Sequence, residues 1–381
     1  MPAAPKRPMF FENWLASVQD KNEAFAGYEC PLYSDVWITG EEKIGPYHFI
    51  NTSAHGGGHR EDAVAPVIVL RVSAHVEDEL PPMDKTDISL YHGGTLSDEA
   101  AALAALSLGI RVTAGPTTRE FFGGDSLGRP VAHFGYAPPV LPVGDGGPRL
   151  PRGAHGHNLE GLRWIGGLDA SAKDQVALIR AARLYQQALW VADAEPALAW
   201  LLFVSAVETA ADRWDQSRGS NAERLRDSKP ALVELIEAKC PAILQDVADA
   251  LGDSIGATRK FVAFVLNFLP QPPEVRPPSG FRISWDAEQL RPMLRTIYGY
   301  RSKALHTGVP FPAPMCEAPR RLSSAWPGVN EKPPGLATGT LGGVWLQQDT
   351  PMMLHVFEYI VRGVLQAWWS SVASAASCAS T

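Results

Sequence analysis

Apolar side chains recur at helical spacing through most of the second half of the chain. Residues 173–192 place Val176, Ile179, Ala182 and Leu189 on one side of a helix. Further helices are predicted over residues 196–214, 230–251 (one or two helices), 257–268 and 351–374. The pattern predicts an all-helical C-terminal part.

One helix in this half has clear ends. Asp286 is a good N-cap, with Gln289 three residues later, and Gly308 is suited to the left-handed turn that ends a helix. A stiff Pro-rich connector, residues 270–278, precedes it. We therefore expect a long helix between Asp286 and Gly308.

The first 150 residues have a mixed pattern. Residues 65–72 form a short, β-branched apolar run that predicts a buried strand, and residues 47–51 and 110–113 are weaker strand candidates. One helix is predicted from Ser97, as N-cap, to Gly109. The fold class is therefore an α+β N-terminal domain followed by an all-α helical bundle.

A segment rich in Pro and Gly, residues 137–156, separates the two patterns and has no periodicity of its own. A chain of 381 residues is long enough for two domains. We expect an N-terminal domain over residues 1–160 and a helical domain over residues 161–381.

The net charge of −7 argues against a generic basic nucleic-acid-binding protein. The whole excess of acidic residues precedes Gly166, so the helical half is neutral. If the chain binds RNA, we expect a local site for it and not a broad positive face.

The chain has no apolar stretch long enough for a membrane span and no apolar signal core at its start. Its four cysteines are scattered without a metal-binding or disulfide spacing. These features predict a cytoplasmic protein without membrane contact, and we expect neither metal nor cofactor.

Glu208 is the first residue of chemical interest. It is the only ionisable side chain between residues 196 and 211, where apolar residues surround it on every face of the predicted helix. A buried carboxylate is costly unless a cation or several donors meet it. We therefore expect a partner from another long helix of the bundle.

The helix that ends at Gly308 offers such a partner and a proton carrier. Arg301 can hold phosphate oxygens with two parallel hydrogen bonds, and His306 can exchange protons near neutral pH. Five residues in a regular helix turn by roughly 140° and rise about 7.5 Å. The two side chains therefore do not lie on the same face of a regular helix. We expect them to line one groove because the helix frays at its end.

Residues 301–306, Arg-Ser-Lys-Ala-Leu-His, resemble the R-x4-6-H signature of HEPN domains. The surrounding sequence YGYRSKALHTG resembles the Apea-like branch of that superfamily, as do the stretches AVE, ATRKF and LHVFEY elsewhere in the chain. This resemblance covers residues 170–375. The resemblance implies an all-α bundle, a homodimer that brings two motifs together, and metal-independent RNA cleavage, in a setting of antiviral defence.

By the same resemblance, Arg301 and His306 are the catalytic pair and Glu208 is the acidic residue opposite. Ser302 stands where active members often carry Asn, Asp or His, and a serine can still donate a hydrogen bond. Ser302, Lys303 and Arg295 are candidates for substrate binding.

Two interpretations of these residues remain open. In the first, the chain is a homodimeric endoribonuclease whose N-terminal domain senses an unknown ligand or trigger. In the second, the Glu208–Arg301 pair is structural, His306 caps backbone carbonyl groups, and the domain is a non-catalytic scaffold that binds RNA or a protein.

Overall fold

A computed structural model describes most of the chain. The described residues are 7–19, 24–52, 64–76, 83–123, 125–131, 138–139, 143, 147–151, 157–215, 220–251, 256–321 and 328–379. Most of the predicted linker, residues 137–156, lies outside these ranges.

The N-terminal part is built on an antiparallel sheet. Its strands occur in the order β3-β4-β5-β1-β7-β8, and β6 pairs with β1 beside β7. The strands of this sheet are β1 (Ala26–Ser34), β3 (Glu41–Ile44), β4 (Tyr47–Asn51), β5 (Ala65–Ala74), β6 (Thr113–Ala114), β7 (Arg119–Phe122) and β8 (Arg129–Pro130). Two short strands, β2 (Ile38–Thr39) and β9 (His157–Asn158), form a separate parallel pair.

The C-terminal part is largely helical. The α-helices of the described residues are α1 (Met9–Gln19), α2 (Leu96–Leu108), α3 (Ala172–Val191), α4 (Pro196–Asp215), α5 (Asn221–Ser228), α6 (Pro230–Lys239), α7 (Leu244–Leu251), α8 (Ala257–Asn267), α9 (Ala287–Thr307) and α10 (Leu354–Ala379). A small hairpin, β10 (Ala337–Thr340) and β11 (Gly343–Leu346), lies between α9 and α10. The predicted order of a sheet-containing part followed by a helical part is confirmed.

The predicted start of α2 is wrong. Thr95 is the N-cap, in a capping box with Asp98, and Ser97 is a buried residue in the first turn. The hydroxyl of Ser97 instead contacts Tyr28 and Cys30 on β1. The predicted end is confirmed, since Gly109 adopts the left-handed conformation with φ of 68°.

One hydrophobic core includes residues from both predicted domains. The alanine-rich α2 packs against α1, α3 and α10, and all seven residues from Ala100 to Leu106 are fully buried. Gln366 on α10 donates to the carbonyl groups of Leu106 and Ser107 at the end of α2. The sheet, α2 and the long helices therefore bury their apolar faces against one another.

A buried cation strengthens this contact. The Arg111 guanidinium, which follows α2, donates to Asp35 at 2.9 Å, to Asp193 at 2.7 Å and to the carbonyl group of Leu189 at 2.7 Å. Asp35 follows the central strand β1 and Asp193 follows α3. A single side chain thus joins the two halves of the chain.

The short helices α5, α6 and α7 have a small core of their own, separate from the main cluster.

In the described part of the chain, no helix has both the length and the apolar character that a membrane span requires.

Candidate functional site

The partner of Glu208 is Arg301. The carboxylate on α4 accepts a hydrogen bond from Arg301 on α9, with 2.7 Å between Oε2 and Nη2. The same carboxylate accepts a second bond of 2.7 Å, from the Tyr298 hydroxyl to Oε1. The expectation that a second helix supplies a counter-ion for this carboxylate is therefore confirmed.

The Glu208–Arg301 pair lies at the protein surface and not inside the bundle. The side chains of Glu208 and Arg301 are 18% and 22% exposed, so the expectation of a fully buried carboxylate is wrong. Neighbouring residues of α4, such as Ala206, Val207 and Ala210, are buried, because that face of the helix packs on the core. The ion pair is thus accessible to solvent at the edge of the α4–α9 contact.

Partial burial changes the acid–base properties of the cluster. Burial raises the pKa of Glu208 above its ordinary value, and the Tyr298 hydroxyl and the Arg301 charge oppose that rise. Burial, followed by the bond to Glu208, also raises the pKa of Tyr298, so its phenol stays a donor at neutral pH. The Arg301 guanidinium lies 5.6 Å from the centre of the Tyr298 ring.

Arg301 is held on one side by these contacts and keeps further donors. Its Nε atom is buried and has no hydrogen-bond partner among the described residues. A guanidinium has five N–H donors in a planar fork, and Glu208 accepts from one of its terminal nitrogens. An oriented arginine with donors to spare can bind an additional anion.

The next turns of α4 are bound to α8. Lys260 donates to Asp212 at 3.1 Å, and Arg259 lies 3.4 Å from Asp215. One face of α4 carries three acidic residues at helical spacing, Glu208, Asp212 and Asp215. This acidic row contacts arginine and lysine side chains of α8 and α9. This row fixes α8 and α9 relative to α4.

His306 is exposed in the last turn of α9. The helix stays regular to Thr307, and Gly308 ends it in the left-handed conformation with φ of 69°. The predicted fraying does not occur, so Arg301 and His306 leave the helix about 140° apart. One protomer therefore does not bring the two predicted catalytic side chains to the same face.

Around the axis of α9, the other predicted residues lie closer to the direction of His306 than Arg301 does. Arg295 and Lys303 are exposed and Ser302 is half-buried. Arg295 and His306 are separated by three turns and by roughly 20° around the helix, and Ser302 lies roughly 40° from His306. The Lys303 ammonium lies 5.5 Å from the centre of the Tyr300 ring. One side of α9 therefore carries Arg295, Ser302 and His306, and Arg301 lies on a different side.

Apolar side chains surround the exposed end of α9. Leu305 is 54% exposed and Val309 is 51% exposed, on either side of His306. Large apolar groups that remain exposed next to a candidate site mark a surface suited to contact with another molecule.

Sequence reasoning did not identify the role of Tyr298. Its spacing of three residues from Arg301, on the same side of a helix, is the signal that could have identified it. With Tyr298 as the second donor, each oxygen of the Glu208 carboxylate accepts a hydrogen bond.

No protein-family model, no curated protein and no solved structure matches this chain. The structure itself shows an antiparallel sheet packed on a largely helical region, with an arginine on α9 that Glu208 orients.

Proposed function

We propose that the protein is a metal-independent endoribonuclease of the HEPN type, with a catalytic site formed by Arg301 and His306 across a homodimer. The observation that carries the proposal is the state of Arg301, which Glu208 orients at 2.7 Å while the arginine side chain stays 22% exposed. The exposed His306 lies in the last turn of the same helix. The motif resemblance and the largely helical C-terminal part support this assignment.

The reaction needs one cation and one proton carrier. The 2′-hydroxyl of a nucleotide attacks the adjacent phosphorus, the bond from phosphorus to the 5′-oxygen breaks, and the products are a 2′,3′-cyclic phosphate and a 5′-hydroxyl. Arg301 stabilises the charge that develops on the phosphate oxygens. His306 takes the proton of the attacking hydroxyl or delivers one to the leaving oxygen.

The geometry of α9 favours a site shared between two copies. Within one protomer the helix directs Arg301 and His306 about 140° apart. In a two-fold dimer, a surface that contains both residues meets its own duplicate, so each arginine can face the partner's histidine. The exposed Leu305 and Val309 supply apolar area for that contact.

Exposed cations beside His306 supply a path for the RNA backbone. Arg295 and Lys303 are exposed on α9, and Ser302 lies between Arg295 and the motif histidine along the helix. We assign these three residues to substrate binding, through contacts with phosphate and ribose that do not depend on base identity. A local site of this kind is compatible with the neutral charge of the helical half.

The test uses purified protein, Arg301→Ala, His306→Ala and the control Arg291→Ala. Arg291 lies in the second turn of α9 and pairs only with the neighbouring Glu288 among the described residues, at 3.3 Å. With a chelator present, wild type and the control should cleave RNA to 2′,3′-cyclic ends. Each motif variant should lose about 10²-fold or more of that activity.

Circular dichroism and size-exclusion chromatography establish that all four proteins fold and assemble alike. Cleavage that requires a divalent ion, or that survives His306→Ala, contradicts the mechanism. In bacterial cells, expression of an active nuclease should be toxic and either motif substitution should relieve the toxicity, as a role in antiviral defence requires.

The second candidate is a non-catalytic HEPN scaffold. It is favoured by the direct contacts that Glu208 makes with Arg301 and Tyr298, because such a cluster also stabilises a helix pair without any substrate. In that case RNA or a protein binds to the wild type and no cleavage product forms under any condition that supports binding.

A further inference from the structure

A cavity of about 290 Å³ lies where the sheet region meets the helical region. It is lined by the segment after β1, by the end of α2, by the Pro-rich connector and by the first turn of α10. Its volume is close to the lower end of the range of roughly 300–1,000 Å³ found for small-molecule sites. Nothing in the proposed nuclease mechanism uses this cavity.

The walls of the cavity are mostly apolar and are held in place. Val36, Ile110, Val329 and Val356 contribute aliphatic surface, and the connector adds proline rings. The connector is fixed along its length by hydrogen bonds from Trp285 to the Pro270 carbonyl group and from Tyr359 to the Gln271 carbonyl group, and by the Arg276–Glu331 ion pair at 2.6 Å. The cavity is therefore formed before any ligand arrives.

The charged groups at the wall already contact opposite charges. Arg111 binds Asp35 and Asp193, Glu331 binds Arg276, and Glu358 accepts from Tyr185 and lies 3.4 Å from Arg362. A charged ligand would lose water here without gaining a new counter-ion. The electrostatics of the wall thus select an uncharged ligand.

His355 is the polar group whose hydrogen bonding is incomplete. It lines the cavity from the second position of α10, and its Nδ1 atom is buried with no hydrogen-bond partner among the described residues. Burial lowers the pKa of His355 to about 4, and the positive end of a helix also disfavours a charged ring, so the imidazole is neutral. A neutral imidazole has one donor nitrogen and one acceptor nitrogen.

We propose that this cavity binds a small, uncharged and largely apolar compound that carries one amide-like hydrogen-bonding group for His355. The aliphatic and proline walls cover the apolar part of the ligand, and the imidazole fixes its polar group. The site is independent of the proposed nuclease function, so Arg301→Ala and His306→Ala leave it unchanged.

Three probes of the same shape and different charge test the assignment: benzamide, benzoate and benzamidine. Binding to the full chain is measured by ligand-observed NMR and by the shift of the melting temperature. Benzamide should bind, and the anion and the cation should bind at least about tenfold more weakly. Stronger binding of benzoate or benzamidine, or no binding of any of the three, overturns the proposal.

Two variants locate the site. Val329→Trp fills the cavity and should abolish benzamide binding, whereas the control Val344→Trp, at an exposed position of β11, should leave it unchanged. His355→Phe keeps a ring and removes both nitrogens, so it should weaken binding about three- to tenfold. Equal benzamide affinity in wild type and Val329→Trp places the ligand elsewhere and overturns the proposal.

Discussion

At the scale of single residues, the need to neutralise a charge was the most informative signal in the sequence. An isolated carboxylate among apolar neighbours implied a cation from another helix, and Arg301 meets Glu208 as expected. The degree of burial was not predictable in this way, because it depends on where the edge of the α4–α9 contact lies. Tyr298 was missed because a tyrosine near the core is usually explained by packing alone.

His355 makes a testable contribution to the pH dependence of stability. Burial lowers its pKa from 6.5 to about 4 in the folded state. As the pH falls from about 6.5 to 4, the unfolded chain takes up a proton that the folded protein does not, so the folded state loses up to about 3 kcal/mol. His355→Phe lacks this titration and should gain stability relative to wild type over that interval.

Urea unfolding of both proteins at several pH values between 7.5 and 4 measures the difference. Burial raises the pKa of Glu358, and its titration is present in both proteins, so it largely cancels in the comparison. If the free energies of unfolding of wild type and His355→Phe change in parallel over this pH range, His355 is not shielded from water as described.

At the scale of secondary structure elements, helices with strong periodicity and good caps were predicted well. The limits of α9 follow from Asp286, which accepts hydrogen bonds from the amides of Glu288 and Gln289, and from Gly308. The central strand β1 was missed, because its sequence AGYECPLYS neither alternates nor forms an apolar run. Its strand conformation is determined by pairing with β5 and β7, which are distant in sequence.

Two glycines of α9 should respond to alanine in opposite directions. Gly308 has φ of 69°, so alanine is strained there and should reduce stability by about 1 kcal/mol, although no other group lies within 4 Å of the added methyl. Gly299 lies within the helix with open space beside it, so alanine should increase stability by about 0.5–1 kcal/mol.

Thermal and urea unfolding of both variants measure these changes. Since the two positions differ in backbone conformation and not in crowding, each variant is the control for the other. A stabilising Gly308→Ala substitution would mean that α9 continues past the residue at which it ends here.

At the scale of the whole molecule, sequence patterns identified the order of the two parts and could not identify their contact. Arg111 is buried between Asp35 and Asp193, and its local sequence gives no sign of either partner. The cavity beside it is lined by segments spread from Asp35 to Tyr359, and no local pattern can reveal such a site. The arrangement arises only when the sheet packs on the helices.

A shared catalytic site predicts that two inactive variants restore activity together. In a mixed dimer of Arg301→Ala and His306→Ala, one composite site keeps both an arginine and a histidine, and the other has neither. Isolated mixed dimers should therefore recover about half of the wild-type cleavage, because one of the two sites in each dimer is intact.

Co-expression with two different affinity tags isolates the mixed dimers for the measurement. Each variant alone, at the same total concentration, is the control. If the mixed dimer contains both protomers and is as inactive as either variant alone, each site takes its arginine and its histidine from the same protomer. That result contradicts the shared site.

The completely buried segment of α2 also has an evolutionary consequence. Every side chain from Ala100 to Leu106 is in contact with protein on all sides, so neither a larger nor a polar residue fits at most of these positions. Surface segments of the chain are free of that restriction and can diverge quickly. Distant homologues should therefore retain a run of small aliphatic residues here, and this run can serve as a marker for recognising them.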